Sequence, residues 1–210
     1  MVLFIHFFYI SGIAHKCQEA TLTNTMTRIR QFLKCIVTFL CLCLAQGAFA
    51  VDTAKLDDLF AQLLQADPVD APVIEQNLFA ELSRSGSDAM DLLLERGREA
   101  IAMGDSRLAI EHMTALVDHA PNFAEGYNGR ATAYYIAGLY GPAMADIGTT
   151  LTLEPRHFGA MSGMALILDE LGEYDSALTV LKAIRDIYPL MEGLDERIER
   201  LELALSGVAL

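Results

Sequence analysis

From Leu56 onward, apolar residues recur every three or four positions, the period of helices with one buried face. Leu56, Leu59, Phe60, Leu63 and Leu64 mark a first helix, interrupted at Asp67-Pro68. Val73, Leu78, Phe79 and Leu82 mark a second, from about Pro72 to Ser83. Six more helices are expected near 90–103, 106–119, 123–137, 140–153, 157–171 and 174–187. A last one spans Glu192 to Ser206. Its Leu194, Ile198, Leu201 and Leu205 form one stripe, with Asp195, Glu196, Glu199 and Glu202 on other faces. The pattern predicts an all-α protein.

The middle six helices repeat. Pro121, Pro155 and Pro189 are 34 residues apart, and so are Ala109, Ala143 and Ala177. Gly97, Ala131 and Ala165 keep the interval, as do Gly104, Gly138 and Gly172. Each column has a physical reason. Small residues sit where two antiparallel helices cross closely. The glycines permit the positive φ of a tight turn. Each proline forces its predecessor out of the helical region and ends the second helix. Asn122 and Glu125, three apart, read as a capping pair opening the next helix.

These columns resemble the tetratricopeptide repeat, which has a small residue at position 8, an aromatic at 11, Ala at 20 and Pro at 32. The units run 90–123, 124–157 and 158–191. The second is the cleanest, with Tyr127, Ala131, Tyr134, Ala143 and Pro155; Ala100 and Leu168 stand where the first and third want the aromatic. The resemblance implies a right-handed α-solenoid of helix-turn-helix repeats with capping helices at both ends. Stacked repeats expose apolar surface at their ends. Residues 51–89 are therefore expected to form an N-terminal cap or degenerate repeat, linked through Ser83 to Ser87, and residues 192–210 a C-terminal capping helix and tail.

The first fifty residues have another character. Arg28, Arg30 and Lys34 precede an apolar run from Cys35 to Ala45, and Ala48-Phe49-Ala50 closes it. This is the three-part pattern of a cleavable export signal over 26–50, with maturation expected at Val51. The run is shorter than the roughly 17–25 residues of a bilayer-spanning helix, so stable membrane insertion after cleavage is not expected. A retained anchor in the inner membrane is the alternative. Residues 1–25 fit the pattern poorly and read as a mis-called start or a leader extension. All four cysteines, Cys17, Cys35, Cys41 and Cys43, precede Val51. The expected mature chain thus has no disulfide and no thiolate.

Removing 1–50 takes away four of the 15 basic residues and one of the 28 acidic ones. This leaves 11 basic against 27 acidic residues and a net charge of −16. Such a surface repels phosphate backbones and anionic lipids, which argues against nucleic acid as partner.

No catalytic constellation stands out, and neither an enzyme nor a cofactor is expected. His112 and His119 are seven apart, too far for the i, i+4 pair of a helical metal site. They and His157 read as structural or solvated. The resemblance implies that the first helix of each repeat lines a concave groove. Its candidate partner-binding residues here are Asp91, Glu95, Arg98, Asn128, Tyr135, Leu166 and Asp169, with Leu94, Glu125 and Gly129 beside them. Asn128 suits a peptide backbone, Tyr135 and Leu166 apolar side chains, and Arg98 a carboxylate. With Asp91, Glu95, Glu125, Asp169 and Glu170 the wall reads as acidic, so a basic or apolar protein segment is the expected partner. Export points to the periplasm of a Gram-negative bacterium. The competing expectation is a structural or self-associating protein, a homo-oligomer using an end or its convex face.

Overall fold

The computed structural model describes residues 53–207. The expected leader extension, export signal and cleavage point, and the four cysteines, lie outside the described residues. Nine helices occupy the described part: α1 Thr53–Gln65, α2 Ala71–Leu82, α3 Asp88–Ala102, α4 Ser106–His119, α5 Ala124–Ile136, α6 Tyr140–Leu153, α7 Phe158–Glu170, α8 Tyr174–Ile187 and α9 Leu194–Ser206. None of them is long and apolar enough to cross a membrane. Helices α3–α4, α5–α6 and α7–α8 are the three repeats, each an antiparallel pair packed on the next.

The repeat columns act as their chemistry requires. Gly104, Gly138 and Gly172 have φ of 76°, 73° and 77° and close the turn inside each pair. There the N–H of Asp105, Leu139 and Glu173 reaches back five residues to a helical carbonyl at 2.8–2.9 Å, which satisfies an end of the first helix. Ala120, Glu154 and Tyr188, each before a proline, have φ of −128°, −136° and −137° and stop the second helix. Ala109, Ala143 and Ala177 are fully buried at the crossings. Between repeats one and two the fit is closest around Met113. A Cβ on either Gly97 or Gly129 would stand 2.5 Å from its Cε, so the thioether threads between two helices that lack side chains there.

Several expectations change. Leu94 and Gly129, placed on the groove wall by sequence, are buried instead, Leu94 with Leu116 and Phe123 and Gly129 against Met113. Leu64, Val73 and Leu205 are exposed. Leu64 follows the inward Leu63 by one residue, a 100° step that turns it to solvent. The Asn122–Glu125 capping pair does not form. Phe123 precedes α5 with no side-chain cap, because the Glu125 carboxylate is bound elsewhere.

The largest change concerns the N-terminal pair. It was expected to cover the outer face of the first repeat. Instead α1 packs on α8, and α1, α2, α7, α8 and α9 share one apolar cluster containing Leu56, Leu63, Leu78, Phe158, Ile184 and Leu201. Phe158 stands between Phe79 and Tyr188, edge to face at 5.2 and 5.5 Å. Tyr188 donates to Glu75 at 3.2 Å. Burial and that carboxylate push its phenol up to about 12. Arg156 pairs with Asp57 at 2.8 Å and lies 4.3 Å above the Phe60 ring. Amphipathic stripes state that a face is buried but not against what; here the hairpin joins the apolar cluster of α7, α8 and α9.

Candidate functional site: a pocket on the concave wall

Three of the candidate residues come together. Asn128 and Tyr135 on α5 and Leu166 on α7 line a cavity of about 310 Å³ between repeats two and three. Thr132, Ile136 and Gly163 complete its walls, and Ile147 from α6 closes its back. The pocket opens where α7 carries glycines at 159 and 163. A Cβ at Gly163 would stand 3.6 Å from Ile147, in ordinary contact, so a larger residue there would fill the space. Leu166 remains 39% exposed at the mouth and Ile136 45%. The lining is mostly apolar with a few polar groups, the usual makeup of a ligand site. Asn128 donates one N–H to Glu125 at 3.1 Å, which fixes the amide's orientation. Its carbonyl oxygen faces no donor among the described residues.

The charged candidates are engaged elsewhere. Asp91 accepts the Ser85 N–H and hydroxyl at 2.8 and 2.6 Å and pins the linker. Arg98 donates to Ser83 and to Glu125. Asp169 holds Arg200 of the last helix. Glu95 stands exposed on α3, away from the pocket lining. Glu170 accepts both the Tyr135 and Tyr140 hydroxyls at the pocket rim, and those two rings stack at 5.8 Å. These bonds hold the Glu170 carboxyl below its ordinary value and raise the Tyr135 phenol to about 12. Of five acids expected to make the wall acidic, four are therefore bonded internally, and Glu95 meets no partner among the described residues.

Sequence reasoning missed the buried network beneath the pocket. His157 is fully buried. Its Nδ1 accepts the Ala160 N–H at 3.1 Å and caps α7. The ring's proton therefore sits on Nε2 and is donated to Glu125 at 2.8 Å. Glu125 thus gathers donors from His157, Arg98 and Asn128. Burial alone would raise its carboxyl, but the His157 bond and the Arg98 charge outweigh it and hold it below the ordinary value. The network ties repeats one and two at the base of the wall and, through the His157 cap, reaches the start of α7 in repeat three. Among the described residues no group of three or more His, Cys, Asp or Glu is placed to hold a metal.

A scan for known families matches residues 94–148 to the tetratricopeptide repeat. A TPR repeat-containing protein of Rhizobium etli is 36% identical over 154 residues, covering 73% of this chain and 76% of that protein. The chain belongs to the tetratricopeptide-repeat family. Small glutamine-rich tetratricopeptide repeat-containing protein 2 of Saccharomyces cerevisiae is 28% identical over 56% of this chain but only 34% of its own length. Among solved structures, the first TPR of Spaghetti (RPAP3), bound to the HSP90 peptide SRMEEVD, superposes with a TM-score of 0.54 at 20% identity, covering 56% of this chain and 95% of that one. The TPR2B domain of yeast Sti1, in a pHsp70 complex, gives 0.52 at 24% identity, covering 56% and 99%. These likenesses show the fold. Tetratricopeptide domains are a non-enzymatic family that mediates protein–protein interaction.

Proposed function

We propose that this chain is a protein-interaction scaffold of the bacterial cell envelope, exported to the periplasm, that takes an apolar side chain of a partner segment into the pocket between repeats two and three. The pocket carries the reading: about 310 Å³ of open, mostly apolar space beside an oriented amide. The Asn128 carbonyl would accept a backbone N–H while the anchor side chain meets Leu166 and Ile136. With most wall acids bonded internally, the anchor is apolar, and basic character in the partner adds only long-range steering. A bacterial relative and the charged, apolar and small-residue pattern at 26–50 support an envelope location.

The test starts with partner capture from envelope extract, followed by titration of the purified partner. Asn128→Ala with Tyr135→Ala is expected to weaken binding by at least ~1 kcal/mol, the level at which alanine scans separate contributing residues. Gly163→Leu, which fills the pocket, should weaken it as well, and exposed Asp118→Ala should not. Normal affinity in both pocket variants, with loss on changing the convex helices, would replace this reading with one centred on the convex face.

A further inference from the structure

The same wall carries a second feature, and its meaning rests on the wall being the binding surface. The α1–α2 hairpin does not continue the stack of repeats. Its α1 packs on α8 of repeat three, and the end of α2 reaches repeat one through a side-chain hydrogen bond. At one end, the Ser83 hydroxyl accepts a hydrogen bond from Arg98 of repeat one. In the middle, Phe79 meets Phe158 and comes within 3.7 Å of where a Gly159 Cβ would stand. Gly159 is itself part of the pocket lining. One turn before Phe79, Glu75 accepts from Tyr188 of repeat three, and Asp57 on the neighbouring α1 pairs with Arg156 at the end of repeat two. The helix thus presents an aromatic anchor and flanking polar contacts to the wall, as a bound amphipathic helix would. A short linker, Ser83 to Ser87, holds it, and Gly86 within that linker has φ of 81°.

We propose that the hairpin is a displaceable intramolecular occupant of the concave wall. It stands in for a partner's amphipathic helix carrying an aromatic residue in the place of Phe79. Tethering through so short a linker gives it a high effective concentration, on the order of millimolar. A free competitor must overcome this, so the covered part of the wall is available only to partners that bind better than the hairpin does. Displacement would also lengthen the pocket beyond Gly159.

The experiment uses the full chain and, as probe, a fluorescently labelled peptide of residues 53–83. Its affinity is measured by anisotropy for the natural chain, for Asp57→Ala with Glu75→Ala, and for Phe79→Ala. The double variant removes only contacts at the hairpin's polar flanks, so it reports even if Phe79→Ala fails to fold. The peptide is expected to bind both variants at least ten-fold more tightly than the natural chain, whose own hairpin competes. Hydrogen exchange should show α1 and α2 opening before α5 to α8, and sooner in the variants. Equal affinity for all three chains overturns the proposal, as does exchange of the hairpin only with global unfolding. A concentration-dependent dimer of the natural chain also overturns it, because the wall's second occupant would then be another copy's hairpin. The pocket variants at Asn128 and Tyr135 test the other reading separately: loss of partner binding there, with equal peptide affinities here, removes only the hairpin proposal.

Discussion

Replacing Glu125 by alanine tests the buried network most directly. The carboxylate accepts from His157, Arg98 and Asn128. Without it, the His157 Nε2–H is left fully buried with no acceptor, at a cost of about 1–3 kcal/mol. Arg98 is 44% exposed, so water recovers much of its lost pairing, and less than about 1 kcal/mol is assigned there. Together these give roughly 3 kcal/mol for Glu125→Ala. At about 2–4 °C per kcal/mol for a domain of this size, the midpoint should fall by roughly 6–12 °C. Glu125→Gln keeps an acceptor oxygen for His157 but gives up the charge, and should cost about 1 kcal/mol. The acid limb adds a second readout. The Glu125 carboxyl is held below its unfolded value of 4.5, so its contribution is complete above that pH and disappears as pH falls through the lowered folded value. The stability difference between the natural chain and Glu125→Gln should therefore stay level at neutral pH and shrink only below about 4.5. Urea unfolding followed by circular dichroism, from pH 7 to pH 3, measures both. If Gln costs as much as Ala, or the difference does not change with acid, the carboxylate does not do what its geometry implies.

Ala143→Leu should overpack the fully buried crossing of α5 and α6 and cost roughly 1–3 kcal/mol in the same denaturation assay; a neutral result would mean the repeat register is wrong. Gly148→Ala, on the same helix but facing open space, should instead stabilise by up to about 1 kcal/mol, and destabilisation would show a contact the structure lacks. The pattern at 26–50 implies a mature N-terminus at Val51, which mass spectrometry of the exported protein checks; a chain retaining Phe32 to Leu44 would favour the anchored alternative.

The repeats were legible because their constraints are local and steric. A helix crossing that admits only Ala143, or a turn that needs Gly138 at φ 73°, excludes most residues wherever the chain is read. The groove helices were legible for the same reason, so Asn128, Tyr135 and Leu166 could be placed on one wall. What the pattern could not supply was the partner of each charge. Asp91, Glu125, Asp169 and Glu170 read as an acidic surface, yet Ser85, His157, Arg200 and two tyrosine hydroxyls, up to 35 residues away, engage them. Glu125 was read as half of a capping box because its three-residue spacing is the local signal; three donors converging in space outweigh that single helix-end bond.

The docking of the hairpin was illegible for a further reason, and it links the site's parts. Three consecutive residues at the start of α7 face three different neighbours. His157 turns to Glu125 of repeat two, Phe158 to Phe79 of the hairpin and Tyr188, and Gly159 to the pocket. A Cβ on Gly159 would stand 3.3 Å from the His157 ring, a tight contact that a larger residue would have to relieve. The turn before α7 is therefore both the base of the pocket and the seat of the hairpin. Its cap is the imidazole that the Glu125 network orients. A helix occupying that seat, whether the chain's own or a partner's, touches the residues that set the position of the α7 end. The proposed binding wall and the junction of repeats two and three thus share residues, which sets this position apart on a stack of otherwise equivalent repeats.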